Sequence, residues 1–392
     1  VEWLELHTAD YILLGIYAAL FLTQFYFYVR YMAAPNRKMR RGKKSNHEEE
    51  TEMATPGVSV ILCAHNESEN LSHYLQALLT QDWPEYEVIV VDDGSEDDTR
   101  AVIESYMIHD PRIHMTFVPY GARVRSTKKL GLTLAAKAAR YDYLLLTDAD
   151  CVPESKNWIR EMMSGFAQAT NKDIVLGFGA YFEEKGYVNR MVRYDTLFNG
   201  LHYLGAALCG HPYMGVGRNL AYRKALFFDS GGFTHLMNNL AGDDDLFVNR
   251  VATNSNTAVV LSRDSFTWSL SKKTMREWIQ QKRRHLSASP SYRSETKVRL
   301  TLEPVTRGLF YLMAIGMIVC YFPASIYQLS IPLLATIALF LTRWIMQTAI
   351  VNTSARRMGL SSFNMCSILW FDIVLPLVSL LLLAVPQKNN KW

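Results

Sequence analysis

The chain of 392 residues has only five cysteines, Cys63, Cys151, Cys209, Cys320 and Cys366, and no two of them form a CxxC pair. That scatter argues against a disulfide framework or a redox dithiol and leaves reduced, structural thiols. There is no HExxH and no dense His/Cys run, so the usual zinc sites are excluded. There is no Walker A loop either, and GVGRNL at 215–220 lacks the third glycine and the preceding strand of a dinucleotide fingerprint. No internal repeat recurs. The formal net charge is only +4, and the basic residues crowd the borders of apolar runs. This favours anionic lipid headgroups as partners and excludes nucleic acid.

What the chain does have is long apolar stretches. YILLGIYAALFLTQFYFYVRYM, residues 11–32, is uncharged until Arg30, and about 20 apolar residues span a bilayer core. It is preceded by Glu2, Glu5 and Asp10 and followed by NRKMRRGKK. That asymmetry predicts a membrane helix rather than a cleaved signal, with its N-terminal side outside. Three more apolar stretches occupy 308–327, 332–351 and 366–385, with a membrane hairpin expected around Gln328 to Pro332 and the basic SARRMG between the last two. The positive-inside rule makes the intervening soluble region cytosolic. The compact layout suggests a bacterial inner membrane.

These patterns divide the chain into an N-terminal membrane helix (1–35), a charged linker (36–55), a cytosolic α/β domain (56–270), an interface helix with a lid segment (271–306) and three C-terminal membrane helices (307–392). Inside the cytosolic part, GVSVILCA (57–64), YEVIVVDDGS (86–95), IHMTFVP (113–119) and YDYLLLTDAD (141–150) are apolar, β-branched runs of buried-strand length. Between them, ESENLSHYLQALLTQ, TRAVIESYMIH and TKKLGLTLAAKAAR repeat apolar residues at i, i+3, i+4. The alternation predicts an α/β fold: a mostly parallel sheet with helices on both faces.

In such sheets ligands sit beyond the carboxyl ends of the strands. Three strands here end in polar groups: AHNE, DDGS and TDAD. Each alone can be a capped turn, but all three together point to one crevice. Asp148 and Asp150, at i and i+2, can face one point, and an oxygen-only site with open positions suits Mg²⁺ or Mn²⁺ on substrate phosphates. DADCVPE lacks the third ligand and the glycine of a calcium loop. Without a glycine-rich cradle, a diphosphate needs metal and basic side chains, and Lys128 and Lys129 are the candidates. Further on, LAGDDDLFVNR (240–250) can cap a helix. Alternatively Asp243 or Asp244 is a general base for an acceptor hydroxyl.

VILCAHNESENL, VVDDGSEDDT, LLLTDADCVP, GRNLAYRK, GDDDLF and QQKRRH, in that order, resemble the inverting family 2 glycosyltransferases of GT-A fold over roughly residues 56–290. The apolar flanks resemble those of the cellulose, hyaluronan and poly-N-acetylglucosamine synthases. The resemblance implies that Glu67, Asp92 and Asp93 hold the nucleoside, that Asp148 approaches the nucleotide, and that Asp150 binds the metal. It implies Asp243 as base, with Asp244 as alternative and Gly242 where the family usually has glutamate. It also implies that Gln281 and Arg284 contact the leaving diphosphate. His285 stands where processive members carry an acceptor-stacking tryptophan, and an imidazole offers a smaller face.

The expected reaction is an inverting sugar transfer from a nucleotide-diphosphate sugar, with UDP the family's commonest carrier, to a lipid-linked or glycolipid acceptor. The alternatives are a processive polysaccharide synthase that exports its polymer and a non-catalytic nucleotide-sugar sensor. Residues 272–286 are amphipathic, a pattern that lies in a membrane interface as readily as on a protein core, and are read as an interface helix, and SASPSYRSETK (287–297) is either a lid over the nucleotide or a plain linker. Arg343 and Asp372 lie inside apolar runs. Charge there is costly unless paired, so an interhelical ion pair between them is predicted.

Overall fold

The computed structural model describes residues 8–45, 55–119, 121–122, 124–169, 171–237, 239, 241–325 and 330–384. Glu2, Glu5, the acidic half of the linker, the hairpin tip at Gln328 and residue 385 lie outside the described residues.

The four anticipated strands form as β1 (Val58–Ala64), β2 (Tyr86–Asp92), β3 (Ile113–Phe117) and β4 (Tyr143–Leu146). They pair in parallel in the order β3-β2-β1-β4. The sheet then continues through β8 (Leu220–Arg223), β6 (Ile174–Leu176) and β9 (Thr257–Val259), with β8 antiparallel to both neighbours. Short β5 (Cys151–Pro153), β10 (Thr267–Ser269) and β7 (Gly179–Tyr181) make a second sheet that flanks the Asp148–Asp150 turn. The sequence reading did not reach these later strands, because runs of three or four residues carry too little periodicity.

Alternation along the buried strands explains the two layers. Val60, Leu62, Val88, Val90 and Leu145 face α3 (Ser68–Leu79), α4 (Thr99–His109) and α6 (Trp158–Ala167). Ile61, Ile89, Val91, Leu144 and Leu146 face the other way, into a larger core shared with α5 (Thr127–Ala138) and α7 (Tyr187–Leu208).

Helix α7 carries the apolar helices. Among the described residues, four helices are long and apolar enough to cross a membrane, in Thr8–Arg41, Ser294–Phe322, Ile331–Arg357 and Met365–Ala384. The first comprises α1 (Thr8–Phe27), a π-helical turn at Tyr28–Met32 and α2 (Ala34–Ser45). The others are α11 (Ser294–Ser325), α12 (Ile331–Arg357) and α13 (Met365–Ala384). The backbone of Tyr31 approaches α7 so closely that a Cβ at Gly205 would stand 2.1 Å from the Tyr31 carbonyl oxygen, so the crossing requires glycine. At the same border Asn36 donates to Ser354 at 2.7 Å and Lys38 Nζ to the Val259 carbonyl at 2.6 Å, fastening α2 to both α12 and the α/β domain.

The predicted Arg343–Asp372 ion pair is present at 2.9 Å, and both side chains are buried. It belongs to a larger network. Arg307 on α11 pairs with the other Asp372 oxygen at 2.7 Å and with Glu303 at 3.1 Å. Gln24 on α1 accepts from Arg343, and Gln347 donates to Tyr194 on α7 at 3.1 Å. Four apolar helices and the α/β domain therefore share one polar junction.

Two expectations change. The first C-terminal helix begins at Ser294, ahead of the apolar run, so the second half of the supposed lid is its first turn. The amphipathic segment forms α10 (Met275–Leu286), started by a Thr274/Glu277 capping box, but its apolar side is used by the protein. Trp278 is buried, with Met275 and Ile279 packed on the same core, and α10 lies against α13.

Candidate active site

The ends of β1 and β2 are laced together. Asn66, in the left-handed region at φ 57, donates its backbone N–H to the Ser95 hydroxyl and accepts from the Glu96 N–H at 2.8 Å through its side-chain oxygen. The Glu67 N–H donates to Thr99 at 2.8 Å, and Asp97 accepts from Ser68 and Thr99. This fixes Glu67, Asp92 and Asp93 along one rim. Asp92 is buried and accepts from the Ser95 N–H at 3.0 Å, closing the DDGS turn. Asp93 accepts from the Thr127 hydroxyl at 2.8 Å. Burial pushes the Glu67 and Asp93 carboxyls above their ordinary values.

At the end of β4, the ligand atoms of Asp148, Asp150 and Cys151 all lie within 4.8 Å of one another. The Cys151 thiol donates to Asp150 at 3.4 Å, and burial pushes that thiol well up, leaving hard carboxylate oxygens as the available donors. This donor set fits Mg²⁺ or Mn²⁺ better than a soft metal.

Lys128, in the first turn of α5, joins this group to the acid run. Its Nζ is 3.0 Å from Asp148 Oδ1 and 3.2 Å from Asp243 Oδ2. Burial alone would depress this ammonium, but Asp148, Asp243 and Asp244 outweigh it and hold Lys128 well above the usual lysine range. Lys129 does not line the crevice, contrary to the expectation from sequence. It is buried on the opposite side of the turn, and donates to the carbonyls of Asn239 and Ala241 at 2.5 and 2.7 Å. It thereby anchors the chain just before the aspartates.

The three aspartates play three parts. Asp243 is held in the charged form: burial opposes this, but Lys128 and Lys129 lower its pKa below the ordinary value. Asp244 caps α9 (Asp245–Val251), accepting from the Asp245 N–H at 2.7 Å and, through its other oxygen, from the Gly217 N–H at 2.7 Å. Burial and then the Asp243 charge push Asp244 up to about 6. Asp245 is pushed up to about 7 by burial and then by Asp244, and accepts from the Tyr292 hydroxyl at 2.7 Å. Gly242 adopts φ +93, and a Cβ there would meet Leu246 at 2.4 Å. The backbone, bent to present Asp243, excludes a side chain at 242.

Tyr292 was missed by sequence reasoning, because a tyrosine in a serine-rich segment gives no signal of its own. With it, Asn249 accepts from the Arg293 N–H at 2.9 Å and Asn239 donates to Ser291 at 3.0 Å. The segment between α10 and α11 is therefore fastened to the acid run. Arg218 was also unassigned. It is packed 4.4 Å over the Tyr181 ring and donates to the Gly179 carbonyl at 2.8 Å. Gln281 donates to the Tyr181 hydroxyl at 3.3 Å, whereas Arg284 and His285 are exposed on α10.

The raised carboxyl of Asp245 makes a stability prediction. Folded protein keeps this proton up to about 7, whereas the unfolded chain releases it near ~3.9. The stabilisation is complete below the unfolded value and is lost as pH rises through the folded one. In chelator-containing detergent, the Tm of wild type should fall more steeply between about pH 4 and 7 than that of Asp245→Asn. Parallel Tm curves would contradict the assignment.

Residues 59–230 match the family described as Glycosyl transferase family 2. The poly-beta-1,6-N-acetyl-D-glucosamine synthase of Staphylococcus epidermidis is 29% identical over 145 residues, which cover 34% of this chain and 33% of that protein. Glycosyltransferase AglE of Haloferax volcanii is 28% identical over 146 residues, covering 37% of this chain and 46% of the relative. The similarity thus spans less than half the length of these relatives. Among solved structures, the mannosyltransferase PcManGT from Pyrobaculum calidifontis, in complex with GDP-Man and Mn²⁺, superposes with a TM-score of 0.54 at 18% identity, covering 88% of this chain and 99% of that one. That likeness concerns the fold.

Proposed function

Because the chain carries a family 2 glycosyltransferase domain of GT-A fold joined to four membrane-length helices, we propose that it moves a sugar from a nucleotide-diphosphate sugar, UDP being the favoured carrier, to a lipid-linked or glycolipid acceptor at the cytosolic leaflet of a bacterial inner membrane. The observation that carries this reading is the linkage of Asp148 and Asp243 through Lys128, at the carboxyl ends of the sheet.

Glu67, Asp92 and Asp93 would bind the nucleoside on the rim between β1 and β2. Asp150, with Asp148 beside it, would hold Mg²⁺ or Mn²⁺, whose chemistry is to neutralise charge on the departing diphosphate. Lys128 adds a fixed positive charge beside Asp148, and Gln281 and Arg284, on α10, would contact the leaving diphosphate. Asp243, kept ionised, takes the proton of the acceptor hydroxyl as that oxygen attacks the anomeric carbon in line, so configuration inverts. No side chain need bond covalently to the sugar.

The test is to follow nucleotide diphosphate release by purified protein with a panel of nucleotide sugars, with and without a membrane lipid extract. Release that requires lipid and stops at one sugar per acceptor is expected. A second reading, processive polymer synthesis, rests on the similarity to the Staphylococcus synthase; a lengthening product made without lipid would favour it. The exposed His285 in place of tryptophan argues against it.

Metal binding gives a separate prediction. Asp150→Ala should weaken Mn²⁺ binding, read by calorimetry, by at least about ten-fold. Excess metal should not restore turnover. Unchanged affinity would remove Asp150 from the metal site.

A further inference from the structure

A groove opens where β7, α7 and the turn between α12 and α13 meet. Its inner end is narrow and touches Tyr181, Arg193 and Phe363. Its outer part is a cavity of about 230 Å³ lined by Glu183, Arg190, Arg193, Ser362, Phe363 and Asn364. None of these residues has a part in the reaction as derived above.

The charge arrangement is uneven. The Arg193 side chain is only 10% exposed, and its partner Glu183, at 2.9 Å, is 59% exposed. The guanidinium lies 5.9 Å from the centre of the Phe363 ring. Arg190, three residues earlier and hence on the same side of α7, is exposed at the groove. The mostly exposed Glu183 carboxylate thus pairs with Arg193 and also accepts from the Ser361 hydroxyl, while Arg190 lines the cavity beside this pair. Planar, weakly hydrated guanidinium forks are suited to bidentate contact with phosphate oxygens.

Location narrows the ligand. α12 ends at Arg357 and α13 begins at Met365, so the groove lies at the end of two membrane-length helices. Beyond it, α13 exposes Trp370, Ile373, Leu377 and Leu380. In the other direction the groove reaches Tyr181, which holds Gln281 and lies beneath Arg218. An amphiphile with its tail along α13 and its anionic group between the arginines would direct whatever is attached to that group towards the crevice.

We propose that this groove binds the phosphate or diphosphate through which the acceptor is attached to its lipid, with Arg190 and Arg193 as its cationic walls. The proposal rests on the reading of a lipid-linked acceptor and makes it specific: the acceptor is a lipid phosphate, not a neutral glycolipid.

The experiment measures ligand-induced thermal shifts of the full chain in detergent, titrated with a polyprenyl monophosphate, the same polyprenol without phosphate, phosphatidylglycerol and inorganic phosphate. Stabilisation by the polyprenyl phosphate is expected, with none from the polyprenol. Arg190→Gln should weaken the apparent affinity by about ten-fold, as expected for loss of one charged contact. Arg193 is packed under Phe363, so R193Q is paired with R193K, which keeps the charge and loses the fork; both should bind more weakly than wild type. Stabilisation by inorganic phosphate to the same extent would identify a free-phosphate site and overturn the lipid assignment. Equal shifts with phosphatidylglycerol would reduce it to a general lipid contact and overturn it too. Unaltered affinity in R190Q and R193K, or no shift in wild type, would overturn it outright. This binding measurement needs no turnover. Nucleotide diphosphate release from wild type decides the transferase reading independently, so the two fail separately.

Discussion

Asp243→Asn is expected to lower the rate of sugar transfer by roughly 10²–10⁴-fold, the range associated with loss of a positioned general base, while leaving nucleotide affinity within a few-fold of wild type. The asparagine keeps the volume and removes the proton acceptor. The structure separates Asp243 from its neighbours on physical grounds. Asp244 uses both oxygens on backbone N–H groups, of Gly217 and Asp245, and Asp245 is turned to Tyr292. Asp243 instead faces Lys128 and is held in the charged form needed to accept a proton. The measurements are single-turnover transfer and calorimetric binding of the nucleoside diphosphate. If Asp244→Asn loses transfer with intact binding and Asp243→Asn does not, the base lies one residue further along the chain.

The acids at the ends of β1, β2 and β4 and the acid run at 243–245 come from different parts of the fold, and this affects how much could be read from sequence. Strands β1 to β4 were legible because each lies in an apolar, β-branched run bounded by polar turns, although β3 at the sheet edge is buried only at Ile113. Their acids stood out because three of these strands finish in carboxylates, although Asp92 also closes the DDGS turn. The antiparallel β8, four residues outside any longer apolar run, and the three-residue strands of the flanking sheet were not, since they have no period to detect. Lys128 and Lys129 illustrate the finer limit. Adjacent residues on a helix point about 100° apart, so one reaches Asp148 and Asp243 while the other is buried against carbonyls. The sequence offered no way to tell which, beyond phasing the helix against a sheet not yet seen. Tyr292 shows the same limit over a longer range: its partner Asp245 is 47 positions away.

The Arg343–Asp372 pairing was legible for a different reason, which is that a charge within an apolar run must find a partner. What hydropathy did not reveal is that one carboxylate serves two arginines. Asp372→Ala should therefore be the most disruptive single change in the helical bundle. It strands Arg307 and Arg343, both buried, together with the Tyr311 hydroxyl that donates to the same carboxylate. Removing one partner of a buried pair typically costs about 3–5 kcal/mol, because the remaining charge is left without compensation. Glu303 still offsets Arg307, at 3.1 Å, so the larger part of the penalty falls on Arg343. Arg343 also touches Gln24 and Gln347, and Gln347 is bonded to Tyr194 of α7. Disturbance at Asp372 should consequently reach the joint between the bundle and the catalytic domain. The expected result is a lower Tm in detergent, with loss of transfer to lipid exceeding any loss of nucleotide binding. The double replacement Arg343→Met with Asp372→Leu removes both charges and should recover part of the lost stability, though Arg307 would still lack its second partner. If Asp372→Ala leaves the Tm within experimental error of wild type, the pair does not hold the helices together, and another interaction fixes the bundle to α7.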